Sequence, residues 1–157
     1  MANVFNAAEV IDMGIEKEKK RRDFYALASR KFKDRKMKEL FTRLTEWEEA
    51  HIKKFTDIRN SVEEYEIAES YQGEFESYIK SLVDDKLYKQ VSPGQFGKSV
   101  KTPLQAIQYG IGFEKDAILF FGELIGYMPP IHVEKIKELI DEERKHLIYL
   151  SELKRKY

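Results

Sequence analysis

The fold is decided by residues 44–51, LTEWEEAH, together with a near copy of this stretch at residues 139–146, LIDEERKH. Each stretch carries a glutamate followed three residues later by a histidine, Glu48 with His51 and Glu143 with His146. On an α-helix, side chains at this spacing project from the same side of consecutive turns. One such pair alone is a common chance spacing in a glutamate-rich chain, so the surrounding sequence has to show whether the two act together.

The resemblance between the two stretches extends upstream. Residues 10–25, VIDMGIEKEKKRRDFY, align with residues 106–121, AIQYGIGFEKDAILFF, and this alignment matches Glu18 with Glu114. Each half of the chain therefore has a glutamate and, about thirty residues later, a Glu-x-x-His pair. A repeat of this kind indicates that one helical hairpin is used twice.

Apolar residues recur at helical spacing in four runs, which predicts helices at about residues 7–31, 34–65, 102–127 and 131–154. Asn6 is a candidate N-cap of the first helix, and Thr102 followed by Pro103 is a typical start for the third. Pro129 and Pro130 end the third helix. Short turns join the first helix to the second and the third to the fourth, so each pair should pack as an antiparallel hairpin.

A longer connection, residues 66–101, joins the two predicted hairpins. It leads from a short amphipathic segment into VSPGQFGKSVKTP, residues 91–103, whose proline and glycines are typical of an irregular loop. The apolar residues of the amphipathic segment are Tyr71, Phe75, Tyr78, Ile79 and Leu82. A connection of this length lets the second and third helices run in the same direction. We therefore predict a single all-α domain over residues 1–157, a four-helix bundle with hairpins at about 7–65 and 102–154 and a crossover at 66–101.

Each predicted helix has one glutamate in the middle of its apolar stripe, when positions are counted at about 100° per residue. These four residues are Glu18, Glu48, Glu114 and Glu143. Their nearest rivals, Glu16, Glu49 and Glu142, fall on the polar side of a helix or near its edge. Burying four ionised carboxylates is costly unless positive charge accompanies them. Two divalent cations would balance the four carboxylates, and His51 and His146 can complete their coordination as neutral nitrogen donors.

Composition limits the kinds of site and partner. The chain has no cysteine, which excludes disulfides, thiolate-bound zinc, iron–sulfur clusters and thiol nucleophiles, so any metal must be bound through oxygen and nitrogen. The 28 Lys and Arg residues balance 28 Asp and Glu residues, so we expect no nucleic-acid partner. The sequence has neither the pattern of a secretion signal nor an apolar run of membrane-spanning length, and we expect a cytoplasmic protein that does not enter a membrane.

Three further polar residues each have two possible interpretations. Tyr25 lies two turns from Glu18 on the same face and can hydrogen-bond to a ligand carboxylate or act in redox chemistry, but Phe121 aligns with it in the repeat, which favours plain core packing. Arg22 leans toward the same face and can pair with a carboxylate, although a surface position with its charged head in water is favoured. His132 has proline rather than glutamate three residues before it, which favours a surface or capping role.

At these residues the sequence resembles the ferritin-like di-iron superfamily, specifically its rubrerythrin-like branch. One glutamate from each of two helices and Glu-x-x-His from each of the other two is the ligand set of ferritin-like di-iron or di-manganese proteins. The resemblance covers nearly the whole chain and implies a ferritin-like bundle that binds two iron ions. It also implies the ligand roles: Glu48 and Glu143 bridge the ions, Glu18 and His51 complete one coordination sphere, and Glu114 and His146 complete the other.

The chain departs from the rubrerythrin-like pattern in two ways. Rubrerythrins that reduce peroxide usually have a further carboxylate one turn after the glutamate of the third helix, where this chain has Ala117. They also usually carry a four-cysteine rubredoxin domain that supplies electrons, and this chain has no cysteine. The six-ligand set is closer to the ferroxidase site of bacterioferritin, but eleven residues follow His146, so we expect neither the fifth helix of a ferritin cage nor a storage shell.

We therefore expect an oxidoreductase that reacts with oxygen or hydrogen peroxide at a di-iron site and takes electrons from an external donor. No catalytic residue distinct from the metal ligands is predicted. The alternative is a non-catalytic bundle that binds, buffers or senses iron, and manganese or zinc could replace iron because the ligand types do not separate these metals. Helix bundles of this size often pair, so a homodimer is also expected.

Overall fold

Four long helices and one short helix make up the part of the chain that the structure describes. It is a computed structural model, and it describes residues 7–62, residue 77 and residues 92–156. The helices are α1 (Ala7–Lys31), α2 (Arg35–Ser61), α3 (Pro93–Ser99), α4 (Pro103–Leu124, continued by a 3-10 turn at Ile125–Tyr127) and α5 (Pro130–Arg155). The four long helices confirm the predicted all-α class. Within the described residues, no helix is long and apolar enough to cross a membrane.

Local sequence determines where the long helices begin. The Asp34 side chain accepts a hydrogen bond from a backbone N–H in the first turn of α2. Thr102 caps α4 in the same way, while the Gln105 side chain accepts a bond from the Thr102 backbone, which completes a capping box. α2 ends at Ser61, earlier than the predicted end at residue 65, and residues 63–65 lie outside the described residues.

The prediction of an irregular loop over residues 91–103 is wrong in part, because Pro93–Ser99 forms the helix α3. Pro93 lies in the first turn, where its missing N–H would have no helical partner in any case, and the Ser92 side chain caps that turn. Buried Phe96 packs edge-on against Phe24 of α1, with ring centroids 5.2 Å apart. The predicted amphipathic segment and the Asn6 cap lie outside the described residues, and the single-domain assignment stays a prediction.

Two clusters of buried apolar side chains lie on either side of a polar layer. α1 packs against α2 and α4, and α4 packs against α5. One cluster includes Ile11, Phe55, Phe121 and Ile140, and the other includes Phe24, Phe41, Phe113 and Leu150. In each of the four long helices, the buried glutamate lies between the residues that belong to one cluster and those that belong to the other. The bundle therefore places all four glutamates at one level of its core.

α1 and α4 approach each other closely at Gly14. A methyl group at this position would lie 2.8 Å from Phe121 Cε1 and 2.9 Å from Phe120 Cε1. Phe121 has little freedom to withdraw, because its ring stacks on Phe55 with centroids 4.0 Å apart. A side chain at residue 14 would therefore push α1 away from the two aromatic rings.

We predict that Gly14→Ala destabilises the protein by about 1–2 kcal/mol, because the cost of overpacking exceeds the gain in helix propensity. Gly122→Ala in α4 is the matched control, since an added methyl group there meets no atom within 4 Å among the described residues. The control should be stabilising by about 0.5 kcal/mol. Urea unfolding followed by circular dichroism measures both changes, and equal effects of the two substitutions would contradict the close approach.

Candidate metal centre

The six predicted ligands all lie in the polar layer. α1 supplies Glu18, α2 supplies Glu48 and His51, α4 supplies Glu114, and α5 supplies Glu143 and His146. The four glutamates are 0% exposed, His51 is 2% exposed and His146 is 7% exposed. Counting along each helix thus predicted the burial of every member of the set.

The two Glu-x-x-His pairs form the centre of this group. One ligand atom from each of Glu48, His51, Glu143 and His146 lies within 4.8 Å of every other. Glu143 is the most central member, because its Oε1 is 2.7 Å from His51 Nδ1 and its Oε2 is 3.3 Å from His146 Nδ1.

The remaining two glutamates each approach one histidine. Glu18 Oε2 is 3.9 Å from His51 Nδ1, and Glu114 Oε2 is 3.9 Å from His146 Nδ1. The site therefore has two ends, one with Glu18 and His51 and the other with Glu114 and His146. Glu48 and Glu143 belong to the centre between them.

Several carboxylate oxygens in the group have no hydrogen-bond partner among the described residues. They are Glu18 Oε2, Glu114 Oε2 and both oxygens of Glu48. Buried polar atoms are normally paired, because an unpaired one loses its hydration without compensation. Four carboxylates with unused oxygens and two imidazoles form a donor set that suits iron, manganese or zinc. The residues present therefore fit a metal centre.

Arg21 is a member of this layer that the sequence analysis missed. Its side chain is 0% exposed, its Nη2 donates to Glu18 Oε1, and its Nε lies 3.7 Å from Glu48 Oε2. The sequence analysis considered Arg22 instead, which lies at the edge of the bundle and donates to Glu49 Oε2 at 2.9 Å. The spacing of three residues between Glu18 and Arg21 was a signal that could have identified it.

Tyr25 packs in the core, as the favoured interpretation has it, and also makes the hydrogen bond to a buried carboxylate that the alternative interpretation allows. Its hydroxyl donates to Glu114 Oε1 at 2.8 Å. Burial and the nearby charge of Glu114 raise the pKa of the Tyr25 phenol well above its usual value, which keeps the hydroxyl protonated as a donor. The Glu18 and Glu114 ends of the site thus have different partners, a guanidinium at one and a phenol at the other.

Glu142 lies near the edge, as predicted, but its long side chain reaches the site. Its Oε2 is 2.7 Å from His51 Nε2, and its Oε1 accepts from Lys54 at 3.1 Å. These two cationic partners outweigh the effect of partial burial and lower the pKa of Glu142. Glu142 is therefore an ionised acceptor for the outer nitrogen of His51.

A cleft of about 420 Å³ opens between α2 and α5 beside both histidines. Its lining includes Trp47, whose ring stacks on His146 with a centroid distance of 4.5 Å and an interplanar angle of 5°. His146 in turn stacks on His51 at 5.3 Å. The histidines are therefore the members of the layer that face this opening.

Burial and mutual repulsion set the protonation of the metal-free group. Burial, reinforced by the charge of Glu143, raises the pKa of Glu48 and of Glu114 well above the usual range. Burial also raises the pKa of Glu18, against the opposing charge of Arg21. Glu143 behaves differently, because hydrogen bonds from its neighbours overcome burial and hold its pKa well below the usual range. Metal-free protein therefore binds protons that an entering cation would displace.

Comparisons with known proteins agree with this architecture. No family model matches the chain, and no curated protein matches it. The structure superimposes on the crystal structure of a protein from Thermotoga maritima, described as a ferritin-like diiron-carboxylate protein, with a TM-score of 0.65 and 22% sequence identity. The match covers 99% of this chain and 98% of the other. The fold is ferritin-like. An identity this low shows the fold alone, so membership of the rubrerythrin-like branch stays a prediction.

His51 should make the stability of the metal-free protein depend on pH. Burial opposes its ionisation, but the hydrogen bond and charge of Glu143 prevail and raise the pKa of His51 from 6.5 to about 9. Because the pKa of His51 is higher in the folded state than in the unfolded state, protonated His51 stabilises the fold fully below about pH 6.5. This stabilisation is lost as the pH rises through 9. The shift corresponds to about 3 kcal/mol.

Urea unfolding of metal-free protein at pH 6 and pH 9.5 measures this loss. We predict that His51→Gln reduces the pH dependence in this window and leaves the part that the buried carboxyl groups contribute, whereas His132→Gln, at the start of α5, leaves the wild-type dependence. An unchanged pH dependence in His51→Gln would show that His51 is not the group responsible.

Proposed function

We propose that this protein is a non-haem di-iron carboxylate oxidoreductase that reacts with oxygen or hydrogen peroxide. The observation that carries the proposal is the buried layer of four carboxylates and two imidazoles with several unpaired oxygens. A fold-level likeness to a protein described as a diiron-carboxylate protein supports it. As the resemblance implies, Glu18 and His51 would hold one ion, Glu114 and His146 would hold the other, and Glu48 and Glu143 would be shared by both.

The distances of the outer glutamates support that assignment. Glu18 would share its ion with His51 and Glu114 would share the other with His146, since each lies 3.9 Å from its histidine partner. Bound iron would supply the one-electron redox chemistry of the reaction. The surrounding residues would hold the ligands in place and exclude bulk water.

Two neighbours orient the ligands. The Glu142 carboxylate 2.7 Å from His51 Nε2 favours a proton on that nitrogen, so Nδ1, which faces the centre of the layer, is the nitrogen that would be left to hold a metal ion once the imidazole is neutral. The Tyr25 hydroxyl donates to Glu114 Oε1 and leaves Oε2 for a cation. Carboxylates and tyrosines in such positions typically change metal affinity or activity by 10- to 100-fold when removed.

The cleft beside His51 and His146 gives a small oxidant or a metal ion a route to the layer. Electrons would have to come from an external donor, because the chain has no cysteine with which to hold a redox centre of the rubredoxin type. We place the reaction in the cytoplasm and expect a homodimer, on the sequence grounds given above.

One observation favours a second function, in which the bundle binds, buffers or senses iron without turnover. Ala117, one turn after Glu114, is 0% exposed and packs among apolar residues. Rubrerythrins that reduce peroxide usually have a further carboxylate at this position. The two functions differ in what happens after metal binding. A buffer would bind iron and react at most once, whereas the oxidoreductase would consume oxidant repeatedly while a donor is present.

Glu48→Ala tests the proposed site, with Glu49→Ala as the matched control on the neighbouring, partly exposed position. We predict that wild-type protein and the control bind two iron ions per chain, whereas Glu48→Ala binds less than half as much and consumes peroxide at least about 100-fold more slowly.

Elemental analysis after anaerobic loading with ferrous iron measures the first effect, and peroxide consumption with a small-molecule reductant measures the second. Iron bound without repeated turnover would support the buffering function instead. Wild-type protein that binds no iron, or Glu48→Ala that behaves like wild type, would contradict both functions.

A further inference from the structure

A permanent positive charge lies inside the proposed metal layer. The Arg21 side chain is 0% exposed, donates from Nη2 to Glu18 Oε1 and places Nε 3.7 Å from Glu48 Oε2. A guanidinium stays protonated at any pH at which proteins fold. The Glu18 end of the layer therefore contains a cation before any metal binds.

Among the described residues, no arginine or lysine donates a hydrogen bond to Glu114, whereas Arg21 donates one to Glu18. In the internal repeat that matches Glu18 with Glu114, Arg21 falls on Ala117, which is also 0% exposed. The hydrogen bond to Glu114 Oε1 comes from the uncharged Tyr25 hydroxyl at 2.8 Å. Within the described residues, the two hairpins thus provide the same ligand types, and the buried arginine beside them belongs to the first hairpin.

The guanidinium changes the net charge that each added metal ion meets. With all four carboxylates ionised and both histidines neutral, as the metal-loaded layer requires, the carboxylates and the guanidinium would carry a net charge of three negative units. A first divalent ion leaves one negative unit, and a second turns the layer positive by one unit. The ion beside Glu18 would also have to share that carboxylate with the guanidinium, and like charges at such short range repel strongly in a buried site.

We infer that Arg21 is a resident cation that makes the two metal positions unequal, a tight one beside Glu114 and His146 and a weak one beside Glu18 and His51. This inference rests on the proposed metal site and adds an order of loading to it. A purely structural Arg21 would stabilise the fold without separating the two affinities. Arg21 is therefore proposed as a residue that tunes metal affinity through its charge.

Titration of metal-free protein with Co²⁺, followed by calorimetry and by the optical spectrum of the bound ion, tests the inference. Wild-type protein should bind two ions with dissociation constants at least about tenfold apart. In Arg21→Gln the ratio of the two constants should shrink by at least about tenfold, because the charge is gone. Arg21→Lys should keep most of the separation, since it keeps the charge.

Arg22→Gln is the matched control, because Arg22 pairs with Glu49 at the edge of the bundle rather than with a ligand. It should bind Co²⁺ as the wild type does. Glu18→Gln should remove the weaker binding event, and Glu114→Gln the tighter one. If Arg21→Gln does not fold, as judged by helical circular dichroism, Arg21→Met provides the neutral variant, and the two glutamate variants still test which end binds first.

The outcomes separate this inference from the proposed function. Two ions bound with equal affinity in the wild type, or an unchanged ratio in the neutral Arg21 variant, would overturn the role of Arg21 and leave the metal site standing. Loss of the tighter event in Glu18→Gln would overturn the assignment of the two ends. Failure of wild-type protein to bind Co²⁺ at all would overturn both proposals.

Discussion

The cost of burying four carboxylates at one level of the bundle is the constraint on which the rest of the structure depends. Glu18, Glu48, Glu114 and Glu143 are all 0% exposed, so none of them is solvated by bulk water. Such a layer persists only if positive charge, protons or hydrogen-bond donors accompany it. Arg21 supplies a charge, Tyr25 donates a hydrogen bond, and His51 carries a proton in the metal-free protein.

The two apolar clusters on either side hold the layer in place. Aromatic rings from α1, α2 and α4 pack tightly there, with Gly14 allowing α1 to approach Phe120 and Phe121. This packing supplies the stability that the polar layer costs, and it keeps water away from the carboxylates. The layer is less closed where His51, His146 and Trp47 border the cleft between α2 and α5. The apolar clusters thus bury the site, and the cleft between α2 and α5 leaves it accessible on one side.

Sequence reasoning could predict the long helices and the burial of all six candidate ligands, because periodicity and an internal repeat both report which side of a helix faces the core. It missed Arg21, since a long cationic side chain next to a polar face is normally assigned to the surface, although the spacing of three residues from Glu18 indicated a buried ion pair. It assigned Glu142 to the edge correctly but had no measure of how far that side chain reaches. The helix α3 was missed because its proline and glycines are typical of a loop. Ser92, which caps the helix directly before Pro93, indicates a helix start instead.

The central claim is that the buried layer binds two metal ions, and anomalous X-ray scattering from crystals grown with ferrous iron tests it most directly. We expect two peaks at the iron absorption edge, roughly 3.5–4 Å apart as in other two-metal sites, with Glu48 and Glu143 between them. Glu18 and His51 should lie at one peak, and Glu114 and His146 at the other. A map without iron in this layer, in crystals of iron-loaded protein, would contradict the account.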